Sequence, residues 1–254
     1  MKLQPPIIYN TSKKEIFEKL DKIRLLVFDI DKTLIDYQYK YSDLKEGVTW
    51  RVCEKAIGLD KNPEYMGLLY QYFELARFPE KDQERKEISK KINSFWKGHA
   101  QEELINYLLP IPYLPYVKEF FEHIRDSKRD FSLAILSSAP AFFLEHIVQE
   151  LDTNFDYLEG CECVIDSQGI FTGEIRSTGL YGKKESFENL CKKNQISLEE
   201  TIYHGDHYLY DGPVIKLAGI GIAVRPFDGP HGKLAQIADI ILYDWAEHPL
   251  LKIL

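Results

Sequence analysis

The chain contains short, continuous apolar segments set between longer amphipathic ones. The segment Leu25–Phe28 is wholly apolar and ends abruptly in charged residues at Asp29. Such a run is typical of a strand that is buried on both faces of a parallel sheet. Upstream, Thr11 and Ser12 precede an amphipathic run, as at the capped start of a helix. A helix followed by a buried strand is therefore predicted at the start of the chain.

Alternation of strands and helices resumes after Pro110-Ile111-Pro112. Strands are predicted at 133–136, 201–204, 220–224 and 240–243, helices at 141–150, 183–192 and 211–217, and a hairpin from 160–164 and 170–174. Repeated strand–helix units predict an α/β fold with a doubly wound parallel sheet.

The region from 37 to 114 has a different pattern. It reads as amphipathic helices, for example over 65–78 and 82–96, separated by glycines and prolines. No buried strand is predicted within it. We therefore predict a catalytic core formed by residues 1–36 and 115–254, with a helical insertion at 37–114.

Composition excludes several classes of partner. The 254 residues are 44% hydrophobic and 28% charged, as in ordinary globular proteins. The net charge of −8 argues against binding to nucleic acid or to an anionic membrane surface, since both need a basic face. If the substrate carries a phosphate group, a local positive site has to attract it. The oligomeric state is left open.

Location is predicted from three further features. No apolar stretch reaches the roughly 18 residues of a membrane span, and the first residues lack the apolar core of a secretory signal. Four cysteines in a chain of this length are not a disulfide scaffold. A soluble, cytoplasmic protein is expected.

Candidate chemistry collects at positions that directly follow predicted strands, where ligands bind in doubly wound sheets. These positions hold Asp29, Asp31, Ser137, Ser138, Asp206 and Asp211, and Lys183 opens a helix. Any one of these residues has an ordinary alternative role as a helix cap or a solvated side chain. Capping does not explain Asp29 and Asp31 so close together, because neighbouring carboxylates repel unless a cation or a shared proton compensates.

Phosphoryl transfer requires this combination of groups. A carboxylate can act as a covalent nucleophile, and Mg²⁺ is usually held by one or two carboxylates together with substrate oxygens. A lysine, hydroxyl groups and the N–H groups of a helix start suit phosphate oxygens. The residues alone therefore favour a phosphatase or a related enzyme.

The order and spacing of these residues resemble the haloacid dehalogenase superfamily, and within it the phosphoserine-phosphatase-like branch. The four family motifs correspond to Asp29–Thr33, Ser137, Lys183 (with Lys184 as the close alternative) and Gly205-Asp206 with Asp211. The branch assignment rests on Leu136–Pro140 and on Phe171–Glu174 before the lysine. The resemblance covers essentially the whole chain and implies a Rossmann-like core with a helical cap.

The resemblance also implies a role for each motif residue. Asp29 is expected to be the nucleophile, and Asp31 to protonate the leaving oxygen and then activate water. Mg²⁺ would be held by the carboxylates of Asp29 and Asp206 and the main-chain carbonyl of Asp31, with Asp211 acting through water or from behind the ligands. Ser137 and Lys183 would bind the phosphoryl group, helped by a backbone N–H of Ser138, and Thr33 would brace the loop. The carboxylate at Asp31 favours a phosphatase over a dehalogenase.

Substrate choice is expected to depend on the insertion and on residues outside the motifs. Serine-specific relatives place a glutamate nine residues after the nucleophile, whereas this chain has Gln38, which argues against phosphoserine. Arg77 either meets a substrate carboxylate or is a solvated helix residue. A Mg²⁺-dependent hydrolase of small phosphate monoesters is the leading hypothesis. A phosphotransferase to an alcohol and a non-catalytic binding protein are the alternatives.

Overall fold

The computed structural model describes residues 5–44, 46–75, 78–176 and 182–254. The strands are β1 Ile7–Tyr9, β2 Leu25–Phe28, β3 Ser132–Pro140, β4 Tyr157–Ile165, β5 Phe171–Arg176, β6 Thr201–Gly205, β7 Ile220–Val224 and β8 Ile240–Leu242. The helices are α1 Lys13–Leu20, α2 Thr49–Ala56, α3 Pro63–Leu75, α4 Asp82–Ser94, α5 Gln101–Leu108, α6 Val117–Asp126, α7 Ala141–Leu151, α8 Gly182–Asn194, α9 Tyr208–Ile215 and α10 Lys233–Ile237.

The strands form one sheet in the order β1-β8-β7-β6-β2-β3-β4-β5. The six inner strands run parallel, while β1 and β5 pair antiparallel at the two edges. The predicted α/β fold with a doubly wound sheet is therefore confirmed. Its central strand is β2, which lies between β6 and β3.

Strand β2 shows why its sequence is continuously apolar. All four of its residues are buried. Leu26 and Phe28 pack into the core on one face of the sheet, and Leu25 and Val27 pack into the core on the other face. Successive strand residues point to opposite faces, so a strand covered on both sides needs an apolar residue at every position.

The region 37–114 contains helices α2 to α5 and, in its described residues, no strand. It contacts the β4–β5 hairpin through the main chain, since Gly98 N–H donates to the Phe171 carbonyl and Gln101 N–H to the Gly169 carbonyl, both at 2.9 Å. The division into a core and an insertion at 36/37 and 114/115 stays a prediction. In the described part of the chain, no helix combines the length and the apolar character needed to cross a bilayer.

Several elements differ from the sequence-based expectation. Helices α6 and α10 were not predicted, and strand β3 continues to Pro140, past its predicted end at Leu136. Strand β1 was not predicted, because three half-buried residues at a sheet edge carry too little periodicity. Helix α9 begins three residues before the predicted 211, because the His207 side chain accepts a hydrogen bond from Leu209 N–H and caps the helix. Phe78, the predicted last residue of helix α3, has an extended backbone and precedes a 3₁₀ turn at Pro79–Lys81.

A pair of buried histidines joins the C-terminal segment to the central strands. His204 Nδ1 lies 3.0 Å from the Val27 carbonyl oxygen, and its Nε2 lies 2.9 Å from His248 Nε2. His248 Nδ1 accepts from Leu250 N–H. One proton on each ring satisfies this whole chain of hydrogen bonds, so both imidazoles are neutral. Burial lowers the pKa of His204 to about 3 and lowers that of His248 as well.

We expect this pair to make the protein less stable in mild acid. The folded-state pKa of each histidine lies below its unfolded-state value. The free energy of unfolding is therefore highest above about pH 6.5 and decreases as the pH falls below that value. Each histidine adds about 1.4 kcal/mol per pH unit to the slope of the unfolding free energy. The substitution His248→Gln should reduce that slope by about 1.4 kcal/mol per pH unit, the contribution of one proton. Urea unfolding between pH 6.5 and 5 measures the change.

The same substitution at His231, an exposed histidine, controls for the loss of one imidazole. An unchanged slope in His248→Gln would contradict the neutral buried pair.

Candidate active site

The sheet order places side by side the three strands that carry or lead into three of the predicted motifs. Phe28, the last residue of β2, is level with Ile135 of β3 and with His204 of β6. Because the three strands are parallel neighbours, their carboxyl ends lie at one edge of the sheet. The residues that follow them, Asp29 and Asp206 among them, therefore meet there.

The loop after β2 is a tight turn held by its own main chain. Lys32 N–H donates to the Ile35 carbonyl at 2.7 Å, and Leu34 N–H donates to the Ile30 carbonyl at 2.8 Å. Lys32 has a φ of 61°, in the left-handed region. The turn keeps Asp29 buried above the sheet, while Asp31 lies beside the start of helix α2.

Lys183 links two of the carboxylates. Its Nζ lies 2.9 Å from Asp29 Oδ2 and 2.7 Å from Asp211 Oδ1, and all three side chains are buried. Burial disfavours the ammonium, but the two carboxylates outweigh burial and raise the pKa of Lys183. Lys184 is exposed, and its Nζ lies 3.9 Å from Glu188 Oε1. The geometry therefore favours Lys183 over Lys184 as the lysine of this site.

Both oxygens of Asp211 are hydrogen-bonded. Oδ1 also accepts from the Tyr203 hydroxyl at 2.8 Å, and Oδ2 accepts from the N–H groups of Asp206 at 3.1 Å and His207 at 2.9 Å. A carboxylate held by this many donors is rigid. Asp211 therefore positions Lys183 and the Asp206 backbone from behind.

The acidic group fits a hard divalent cation. Ligand atoms of Asp29, Asp206 and Asp211 lie within 4.8 Å of one another. Asp29 Oδ1 is buried and has no hydrogen-bond partner among the described residues. Burial and the neighbouring carboxylates Asp211 and Asp29 raise the pKa of Asp206 well above its usual range. Lys183 is one positive charge beside three buried acids, so a cation with oxygen ligands, such as Mg²⁺, would balance them.

Asp31 has different surroundings from Asp29. Its Oδ1 accepts two hydrogen bonds from Thr49, from the N–H at 2.8 Å and from the hydroxyl at 2.6 Å. Burial raises the pKa of Asp31 to about 7, helped by the charge of Asp29 and opposed by the Thr49 hydrogen bonds. A carboxyl group with this pKa exchanges protons near neutral pH.

Ser137 and Ser138 were predicted to follow a strand that ends at Leu136, but they lie within the last part of β3, and they differ in exposure. Ser137 is buried, and its Oγ accepts from Ala139 N–H at 3.2 Å. Burial raises the pKa of the Asp29 carboxyl, and the Ser137 hydroxyl opposes that rise. Ser138 is exposed, and its carbonyl accepts from Trp50 Nε1 at 2.8 Å. Ser137 therefore lies in the site, while Ser138 contacts helix α2.

The remaining predicted residues lie around the loop. The carbonyl of Thr33 accepts from Trp245 Nε1 at 3.2 Å, and its buried hydroxyl has no partner in the described part of the chain. Gln38 is exposed, and its Oε1 accepts from Lys32 Nζ at 2.8 Å. Arg77 lies outside the described residues.

Three residues that contact the site were not predicted from the sequence. Thr49 and Trp50 come from helix α2, and Tyr203 comes from the middle of β6. Thr49 follows a glycine and a valine at a helix start, which signals a helix boundary but not its partner. Tyr203 reads as an ordinary strand aromatic.

The fold and the site together define an α/β protein of Rossmann-like topology, with a buried carboxylate directly after the central strand. The sequence matches the family model for haloacid dehalogenase-like hydrolases over residues 26–214. The chain belongs to this family, so the assignment made from the four motifs is confirmed. No curated protein sequence is significantly similar to the chain.

Solved structures with the same fold include phosphoserine phosphatases. A phospho-aspartyl intermediate analogue of phosphoserine phosphatase has a TM-score of 0.65 at 22% identity, covering 91% of this chain and 99% of the other. A substrate-bound phosphoserine phosphatase has a TM-score of 0.64 at 20% identity, covering 91% and 98%. A phosphoserine phosphohydrolase-like protein from Francisella tularensis has a TM-score of 0.60 at 20% identity, covering 91% and 100%. The predicted phosphoserine-phosphatase-like fold is confirmed, and the family match identifies a haloacid dehalogenase-like hydrolase.

Glycine at 205 is required by Asp211. A Cβ added at Gly205 would lie 2.4 Å from Asp211 Cγ and 2.6 Å from its Cβ. We expect Gly205→Ala to lower the free energy of unfolding by roughly 1–3 kcal/mol, because Asp211 has to shift away from its donors. Chemical denaturation measures this change.

The matched control is Gly67→Ala in helix α3, where an added Cβ meets no atom within 4 Å. There we expect no loss, or a gain of about 0.5–1 kcal/mol, because alanine favours the helix. Equal losses in the two variants would contradict the packing argument at Gly205.

Proposed function

We propose that this protein is a Mg²⁺-dependent phosphatase that hydrolyses a small phosphate monoester through an aspartyl-phosphate intermediate. Asp29 is the nucleophile and Asp31 is the general acid and base. Ser137 and Lys183 bind the transferring phosphoryl group. Asp29 and Asp206 hold the metal ion, together with the main-chain carbonyl of Asp31.

The proposal is carried by one observation, the unlike surroundings of two carboxylates that are two residues apart. Asp29 pairs with Lys183 at 2.9 Å, whereas Asp31 accepts from Thr49 and has a pKa of about 7. Burial raises the pKa of both carboxyl groups, and at Asp29 the contact with Lys183 opposes that rise. Neighbouring acids in unlike surroundings can take separate roles in catalysis. An ammonium partner favours the ionised form that a nucleophile needs, and a pKa near neutrality suits proton transfer.

The first half of the reaction follows from these positions. A carboxylate oxygen of Asp29 attacks phosphorus, and the bond from phosphorus to the ester oxygen breaks. Asp31 gives its proton to that oxygen, so the alcohol leaves neutral. The Lys183 ammonium and the Ser137 hydroxyl donate to the phosphoryl oxygens while charge builds on them.

The second half uses the same side chains in the opposite sense. Asp31, now ionised, takes a proton from a water molecule, which attacks phosphorus. The bond from phosphorus to Asp29 breaks, which releases phosphate and restores both carboxyl groups. Mg²⁺ held by the carboxylates of Asp29 and Asp206 would neutralise charge on the phosphoryl oxygens and on Asp29.

The first test is the substitution Asp29→Asn, assayed with p-nitrophenyl phosphate in the presence of Mg²⁺. An amide does not form the acyl phosphate, so we expect kcat to fall by more than about 10³-fold. Wild-type activity should also disappear with EDTA and return with added Mg²⁺.

Asp130→Asn is a matched control, because Asp130 is an exposed aspartate in the turn before β3. Turnover by Asp29→Asn at the wild-type rate, or turnover that needs no metal, would be incompatible with the mechanism. Transfer of the phosphoryl group to an added alcohol in place of water would favour the phosphotransferase alternative.

The second test concerns the hydrogen bond from Thr49 to Asp31. Loss of the hydroxyl in Thr49→Val removes a donor that favours the ionised acid, so the pKa of Asp31 rises. With an alkyl phosphate, whose leaving oxygen needs a proton, kcat/KM should fall at high pH as Asp31 ionises. We expect this limb to move to higher pH by about one unit in the variant.

Thr49→Ser keeps both donors and should keep the wild-type profile. If the limb stays in place in Thr49→Val, or moves equally in both variants, Thr49 does not set the proton affinity of Asp31.

A further inference from the structure

A small cleft opens beside the acidic group. It has a volume of about 240 Å³, and Lys32, Gln38, Asp206, Arg225 and Phe227 are among its lining residues. Asp206 belongs both to this cleft and to the acidic group. A phosphoryl group bound at Asp29 would therefore direct the rest of its ester into the cleft, whose size suits a small molecule.

Most charges that line the cleft are already paired. Lys32 Nζ lies 2.7 Å from Asp36 Oδ1. Glu46 lies 3.4 Å from Arg51, which also pairs with Glu54. These contacts leave Lys32 and Glu46 with partners inside the protein.

Arg225 differs, because no carboxylate of the described residues lies within ion-pair distance of it. Its Nε donates to the Tyr243 carbonyl at 3.1 Å, and one terminal nitrogen donates to the Tyr39 hydroxyl at 2.7 Å. Both acceptors are neutral, so they hold the half-buried guanidinium in place without cancelling its charge. The cleft therefore presents an oriented cation.

The backbone fixes this cation next to the site. Arg225 has a φ of 41°, in the left-handed region, and its N–H donates to the Leu242 carbonyl at 2.9 Å. Two residues on, Phe227 N–H donates to the Asp206 carbonyl at 3.0 Å. The loop that carries Arg225 is thus tied directly to Asp206.

We infer that the substrate carries a second anionic group on its alcohol part, a carboxylate or a second phosphate, and that Arg225 binds this group. The inference rests on the proposed phosphatase function and narrows its substrate class. The planar guanidinium fork matches both carboxylate and phosphate oxygens. A neutral or cationic alcohol would leave the charge of Arg225 unanswered in the cleft.

The test compares three substrates that differ only at the far end of the alcohol. These are propyl phosphate, 3-(phosphonooxy)propanoate and propane-1,3-diol bisphosphate. With Mg²⁺, the wild type should have a kcat/KM at least about tenfold higher for one or both of the substrates with a second anionic group than for propyl phosphate. The two charged substrates separate carboxylate recognition from phosphate recognition.

The variant Arg225→Gln keeps hydrogen-bond donors but removes the charge. We expect it to lose most of the preference for the charged substrates, mainly through KM, while Arg225→Lys keeps part of it. The control is Arg24→Gln, which removes an arginine that pairs with Glu200 at the opposite end of β2 and should leave all three rates unchanged. The wild-type preference should also shrink as ionic strength rises from about 0.02 to about 0.5 M, a measurement that does not depend on any variant.

Each failure has its own signature. If the wild type hydrolyses none of the three substrates with Mg²⁺, the proposed phosphatase function fails. If the wild type hydrolyses them without a preference for a second anion, or if Arg225→Gln slows all three equally, the phosphatase stands and the role of Arg225 is wrong.

Discussion

Lys183 holds the candidate site together, because it is a buried ammonium between two buried carboxylates. It joins Asp29 after the central strand to Asp211 in helix α9, at 2.9 and 2.7 Å. Removing charged groups from water is costly unless each finds partners, and breaking such a pair strands the remaining charge. Asp211 meets that demand with donors from Tyr203 and two backbone N–H groups, and Gly205 leaves the room that Asp211 occupies. The placement of Asp29 thus depends on several residues behind it.

The surrounding fold supplies rigidity from below. Phe28 stacks on His204 with ring centres 4.5 Å apart, and Trp245 donates to the Thr33 carbonyl in the loop after β2. The C-terminal segment is therefore packed under the loop and tied to it. Because these groups are neutral and buried, they stiffen the loop without adding charge to a site that already holds several acids.

The sequence was most informative where local pattern and chemistry coincide. The apolar run of β2 predicted a buried parallel strand, and the acids after it predicted the edge where the site lies, because both features are local in the chain. Thr49 could not be linked to Asp31 in this way, since 18 residues separate them and only the packing of α2 brings them together. Arg225 belongs to none of the sequence motifs. It stands out because no carboxylate of the described residues lies within ion-pair distance of it, and only the tertiary structure reveals this. Strand β1 was missed because its partner β8 lies at the other end of the chain.

The contacts of helix α2 bear on how the proposed reaction would be controlled. Asp29 takes its partner, Lys183, from helix α8, so its charge pairing does not depend on α2. Asp31 takes its donors from Thr49, the first residue of α2, and the next residue, Trp50, donates to the Ser138 carbonyl near the end of β3. One helix end therefore contacts two of the segments that bear the motifs. A shift of α2 would change the hydrogen bonds that Asp31 accepts from Thr49 and would leave the contact between Asp29 and Lys183 in place. Under the proposed mechanism, the position of α2 thus governs proton transfer to the leaving oxygen and leaves the formation of the charged nucleophile to the core.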